Sequence, residues 1–107
     1  MNFKLKNLQE GKTIITSEKG NSMTPLIQSG QKHILSPADW QSVKVGDIVY
    51  CKVRGNFYTH LVKAVDIKKG CQIVNNHGFV NGWTKQVYGL VIKVLPMDFV
   101  QNKNVEK

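Results

Sequence analysis

Between Ile48 and Asn76 the chain reads IVYCKV, RGN, FYTHLVKAVDI, KKG, CQIVNN. Three runs rich in β-branched and aromatic residues are separated by short breaks, each holding a glycine. Such side chains suit a pleated, half-buried surface, and Gly55 with Asn56 tolerates the positive φ of a tight hairpin loop. A succession of this kind folds back and forth as an antiparallel sheet, and the flanking sequence extends it. KTIIT supplies a first strand, KHILS a short second one and VYGLVIKVLP the last. A short amphipathic piece precedes them. TPLIQSG forms one helical turn or a bend, because Pro25 suits a first turn and Gly30 ends it. SPADWQSV is a polar connector, GFVNGWT is read as a loop, and MDFVQNKNVEK as a fraying tail. The expected fold is mainly β, a coiled β-sheet or small barrel. It occupies residues 1–107 as one domain, with its core at about 13–96 and a C-terminal tail over 97–107.

A chain of 107 residues is one domain's worth. Folding at this length buries roughly two-thirds of the unfolded surface, enough for one modest core. No apolar run of about 18 residues is present, so no segment reads as a membrane span. The basic N-terminus lacks the apolar stretch of a secretory signal, and a soluble, cytoplasmic protein is expected. Fifteen Lys and Arg against seven Asp and Glu give a formal charge of +8. That balance admits an anionic partner such as nucleic acid, although the lysines are scattered as on an ordinary solvated face. NGWTKQVYG, with Trp83 and Tyr88 around Lys85, offers either a stacking surface or a core-and-rim aromatic pair. Cys51 and Cys71 have no C-x-x-C spacing, and a cytosolic setting does not favour a disulfide between them. Together with His33, His60 and His77 they show no ligand spacing, so neither a metal nor another cofactor is expected.

The chemistry turns on Ser22, in KGNSMTPLIQSG. A serine in such a stretch is ordinarily a turn or helix-cap residue that bonds local N–H groups. To act as a nucleophile it needs a base within hydrogen-bond reach and donors for an oxyanion. In FYTHLVKAVDI side chains alternate, so His60, Val62 and Ala64 share one face, and Leu61, Lys63 and Val65 the other. Both faces are largely apolar, which implies burial on both sides. His60 or Lys63 therefore qualifies as a base, but the two cannot point at one serine.

GNSMTPLIQSG resembles the G-x-S-M-x-P segment that carries the nucleophile in the superfamily joining type I signal peptidases to LexA-like self-cleaving repressors. VKVGDIVYCKV is similar to the strand that follows that serine, GNFYTHLVKAV to the hairpin strand bearing the base, and VYGLVIKV to the closing strand. The similar segments span roughly residues 19–95 in the family's order. The resemblance implies a LexA/signal-peptidase-like β fold and a serine endopeptidase acting through an acyl-enzyme on an extended polypeptide. Ser22 takes the nucleophile position, its N–H is expected to bind the oxyanion, and Met23 and Pro25 are motif-supporting or substrate-contacting. His60, not Lys63, falls on the base position, as in the endoplasmic-reticulum type of signal peptidase. Leu61 stands where that family has arginine. IVNNHGFVNGW, where the family has a supporting polar residue, holds no carboxylate, so Asn75, Asn76 or His77 is expected to orient His60. With no anchor or DNA-binding domain before Ser22, and no Ala-Gly or Cys-Gly bond to cut, a stand-alone peptidase domain of bacterial or phage type is expected. The competing expectation is a catalytically inactive peptidase-fold module that binds nucleic acid or a protein partner.

Overall fold

The computed structural model describes residues 2–100. A short helix, α1 (Phe3–Gln9), precedes seven strands. These are β1 (Ile14–Thr16), β2 (His33–Pro37), β3 (Ile48–Val53), β4 (Asn56–Asp66), β5 (Gly70–Val74), β6 (Val80–Thr84) and β7 (Val87–Val94). All pairings are antiparallel, and the strands form one sheet in the order β1-β2-β7-β3-β4-β5-β6. The sheet is open, with β1 and β6 as its edges, and does not close into a barrel.

The hairpin between β3 and β4 forms where its sequence demands a two-residue loop. Arg54 and Gly55 both have positive φ, 51° and 83°, and Val53 pairs with Asn56 across the loop. The left-handed positions are thus Arg54 and Gly55, while Asn56 already belongs to β4. Alternation along β3 then divides the core between the two faces of the sheet. Val49, Cys51 and Val53 pack with Val62, Cys71, Ile73 and Val87. Tyr50 packs with Leu35 of β2 and Leu8 of α1 on the opposite side. Each fully buried Val, Leu or Ile stabilises the fold by roughly 1.5–3 kcal/mol before entropy is counted. Asn2 fastens α1 to this second cluster. Its Oδ1 accepts from the Leu5 N–H (3.0 Å) and its Nδ2 donates to the Tyr50 hydroxyl (2.8 Å).

Two expectations require correction, and a third is refined. VNGWT within GFVNGWT is the strand β6, not a loop, pairing with β5 through Thr84↔Cys71, Trp83↔Gln72, Gly82↔Ile73 and Val80↔Val74. Gly82 belongs in this strand because its φ is +138° and a Cβ there would lie 3.1 Å from Val53 Cγ1. TPLIQSG forms turns, in keeping with the helical turn or bend expected there, closed by the Ile27 N–H donating to the Met23 carbonyl (3.0 Å). Lys63 is exposed, not buried, because β4 carries a bulge there: Val62 faces Ile73 and Ala64 faces Gln72, leaving Lys63 without a partner in β5. Of the expected tail, 97–100 begins with a turn from Pro96 to Phe99, and 101–107 lie outside the described residues. Trp83 and Tyr88 do not form one stacking surface. Tyr88 packs on Phe57 in the second cluster, whereas Trp83 lies under the Lys69 ammonium. Among the described residues no helix is long and apolar enough to cross a membrane.

Candidate active site

Ser22 lies on the long connection between β1 and β2, and His60 in the middle of β4. They meet: Ser22 Oγ is 3.0 Å from His60 Nε2. The other ring nitrogen, Nδ1, is 2.7 Å from Oδ1 of Asn81. A carboxamide oxygen only accepts, so Nδ1 carries the proton and Nε2 presents its lone pair to the serine hydroxyl. The three side chains thus run from an acceptor that fixes the tautomer, through an imidazole, to a hydroxyl that donates to it.

Each member is positioned by a local feature of the chain. His60 is 7% exposed and paired with Val49 of β3, with the Tyr58 ring 4.9 Å from it on the same strand face. Asn81 is the extra residue of a bulge in β6, since Ile73 pairs with Gly82 and Val74 with Val80. A bulge re-aims the side chain of its unpaired residue, and here that side chain turns onto the histidine. Ser22 is held through its backbone: the Asn76 N–H donates to the Ser22 carbonyl (2.8 Å). The Ser22 N–H has no partner among the described residues.

None of the three residues expected to orient His60 touches it. Asn75 builds the β5–β6 turn, its Oδ1 accepting from the N–H groups of His77 (2.8 Å) and Phe79 (2.9 Å). Asn76 Nδ2 donates to the Thr24 carbonyl (2.9 Å), and His77 Nε2 donates to the Asn21 carbonyl (2.9 Å). Asn76 and His77 thus clamp the serine loop instead of the base. Alternation could not reveal this, because Asn75–Phe79 is a turn whose groups serve the backbone. Met23 is buried beneath the same loop and Pro25 is exposed after a cis peptide bond.

The surroundings tune the imidazole. Burial pulls the pKa of His60 below its ordinary 6.5, while the hydrogen bond to Asn81 and the charge of Glu18 partly oppose that. The ring is therefore neutral at physiological pH and able to accept a proton. Glu18, four residues before Ser22, is a partly buried carboxylate that sequence reasoning did not single out. Burial alone would raise its pKa, but hydrogen bonds from Thr59 and Lys4 and the Lys4 charge together hold it below the usual range. Lys4 Nζ lies 2.9 Å from Glu18 Oε2, and Thr59 donates to the same oxygen.

Cys51 and Cys71 are free and buried. Burial pushes the Cys51 thiol up to about 12, which makes it an inert packing group. Among the described residues no three His, Cys, Asp or Glu side chains converge in a way that would hold a metal ion. Comparison of the chain with family models, curated proteins and solved structures found no match.

Proposed function

We propose that this protein is a serine endopeptidase of the signal-peptidase/LexA-like superfamily, with a Ser22–His60 dyad oriented by Asn81. The observation that carries the reading is the contact of Ser22 Oγ with His60 Nε2 at 3.0 Å, with the opposite nitrogen held by a fixed acceptor. This is the nucleophile–base–orienter geometry that covalent catalysis requires. The polypeptide substrate lies extended, as peptides do against sheet edges, and the site of action is cytoplasmic.

In the reaction, Ser22 Oγ bonds to the scissile carbonyl carbon as its proton passes to His60 Nε2. The carbonyl electron pair moves onto oxygen, to which the Ser22 N–H, unpaired among the described residues, donates. Collapse breaks the C–N bond, and the imidazolium gives its proton to the leaving amine. Water then attacks the ester, His60 again taking and returning the proton, and the carboxylic acid leaves with Ser22 restored. Asn81 fixes the tautomer but, unlike a carboxylate, adds no full charge opposite the imidazolium, so turnover is slow beside a charge-backed triad.

The test is treatment of the whole protein with a fluorophosphonate, followed by peptide mapping and incubation with a peptide library. Ser22 should be labelled, labelling should vanish in Ser22→Ala, and His60→Ala should slow it by about 10²- to 10⁴-fold. A protein that neither labels at Ser22 nor cuts any peptide is not a peptidase. That no carboxylate among the described residues is hydrogen-bonded to His60, with the +8 charge, favours one second reading, an inactive binding module. It predicts DNA or RNA binding that weakens steeply with salt and survives Ser22→Ala.

A further inference from the structure

The cavity beside Ser22 contains a group that the dyad does not use. It measures about 20 Å³ and is bordered by Ser22, Met23, Ile27, Glu18, Thr59 and His33. This is room for one water-sized group. His33 is 1% exposed, and neither ring nitrogen has a hydrogen-bond partner among the described residues. The Gln31 carbonyl approaches the ring without reaching hydrogen-bond geometry. A buried imidazole left in this condition costs free energy, which a donor or acceptor entering the cavity would recover. Of the other polar groups there, the Glu18 carboxylate takes the Thr59 hydroxyl and the Lys4 ammonium, and Lys19 and Gln28 complete the lining.

We infer that this cavity is the pocket for the substrate residue whose carbonyl Ser22 attacks, and that His33 makes it select a small hydroxyl-bearing side chain, serine above alanine. The inference rests on the peptidase reading and goes beyond it by naming what the enzyme cuts after. Three features point to a hydroxyl. The cavity is too small for a ring or a branched chain. A neutral imidazole offers one N–H and one lone pair, and a hydroxyl, being donor and acceptor at once, satisfies it in either tautomer. Met23 and Ile27 supply the apolar sides that a β-carbon would touch.

The experiment compares peptides differing only in the residue before the cut: serine, alanine, threonine and valine. Labelling of Ser22 by the fluorophosphonate is measured in parallel. The expected result is a kcat/KM for serine about tenfold above alanine, the worth of one buried neutral hydrogen bond, with the branched threonine and valine poor. In His33→Leu the serine-to-alanine ratio should fall to about one, and in His33→Gln, which can still hydrogen-bond, it should be largely retained. Ser22 labelling reports whether each variant is folded, and the preference of the unaltered protein decides the matter if neither variant folds. Labelling and cleavage with alanine equal to or above serine overturns the inference while the peptidase reading stands. A ratio unchanged by His33→Leu overturns it too, and means that a fixed water satisfies the ring. Absence of both labelling and cleavage overturns the peptidase reading and the pocket with it.

Discussion

Replacing Asn81 by aspartate should turn a tautomer-fixing contact into a charge-stabilising one without moving an atom. Asn81 Oδ1 already lies 2.7 Å from His60 Nδ1, and an aspartate oxygen in that place accepts the same hydrogen. The new negative charge would sit about 4 Å from the centre of the imidazolium charge. At an effective dielectric constant of about 20 their attraction is about 4 kcal/mol. Asn81 is half-buried, so the new carboxylate also loses hydration, and the net effect falls within the range seen for opposite charges this close. The His60 pKa should rise by about two pH units, within a span of roughly one to three. The base must be unprotonated to work, so the midpoint of the pH profile for fluorophosphonate labelling of Ser22 should move up by the same amount. At about pH 9, above both midpoints, labelling should quicken by about tenfold or more, because the forming imidazolium is stabilised. At about pH 6 it should slow, since more of the variant's His60 is already protonated. NMR titration of the His60 ring gives the pKa independently. Should that pKa rise while the labelling profile stays put, His60 is not the base. Should neither move, Asn81 does not hold the ring.

Two further outcomes follow from the same contacts. Asn76→Ala removes the bond to the Thr24 carbonyl and should cost about 1 kcal/mol of stability. It should slow Ser22 labelling by more than the stability loss explains, as a looser serine loop would; an unchanged rate shows that the clamp is dispensable. Burial depresses the pKa of both His33 and His60 below 6.5. The unfolded chain therefore takes up protons at these histidines before the folded one does. Their stabilising contribution is complete above about pH 6.5 and is lost as pH falls through the folded values. The urea midpoint should drop between about pH 7 and about pH 5, with a shallower drop in His60→Ala; a flat midpoint over that range would sink this account.

The strands around the central hairpin were legible because β-branched and aromatic runs with glycine breaks leave few alternatives. The serine loop and His60 were legible as candidates for the same reason that they are now neighbours: each sits in a local pattern that a sequence displays. Asn81 was not. Its segment contains Gly82, which weakens any strand signal, and its direction is set by a bulge, which depends on the pairing partner and not on its own neighbours. The flanking Val80, Trp83 and Thr84 were the available hint. Lys63 was misjudged by the same mechanism, since strict alternation buried a side chain that the β4 bulge releases to solvent. Glu18 was not singled out and His33 was weighed only as a metal ligand, because their meeting depends on the β1–β2 register, which sets Thr16 opposite His33 and which neither segment's own pattern displays.

The bulge that aims Asn81 at the histidine has a second consequence, for self-association. β6 is an edge of the sheet, and a regular edge offers a row of unpaired N–H and C=O groups to any other copy of the chain. The extra residue, second in a strand of five, interrupts that row, so two copies cannot zip together edge to edge over its full length. Deleting one residue to straighten β6 would therefore do two things at once. It would take the acceptor away from His60, and it would restore a continuous edge along which copies pair into fibrous aggregates.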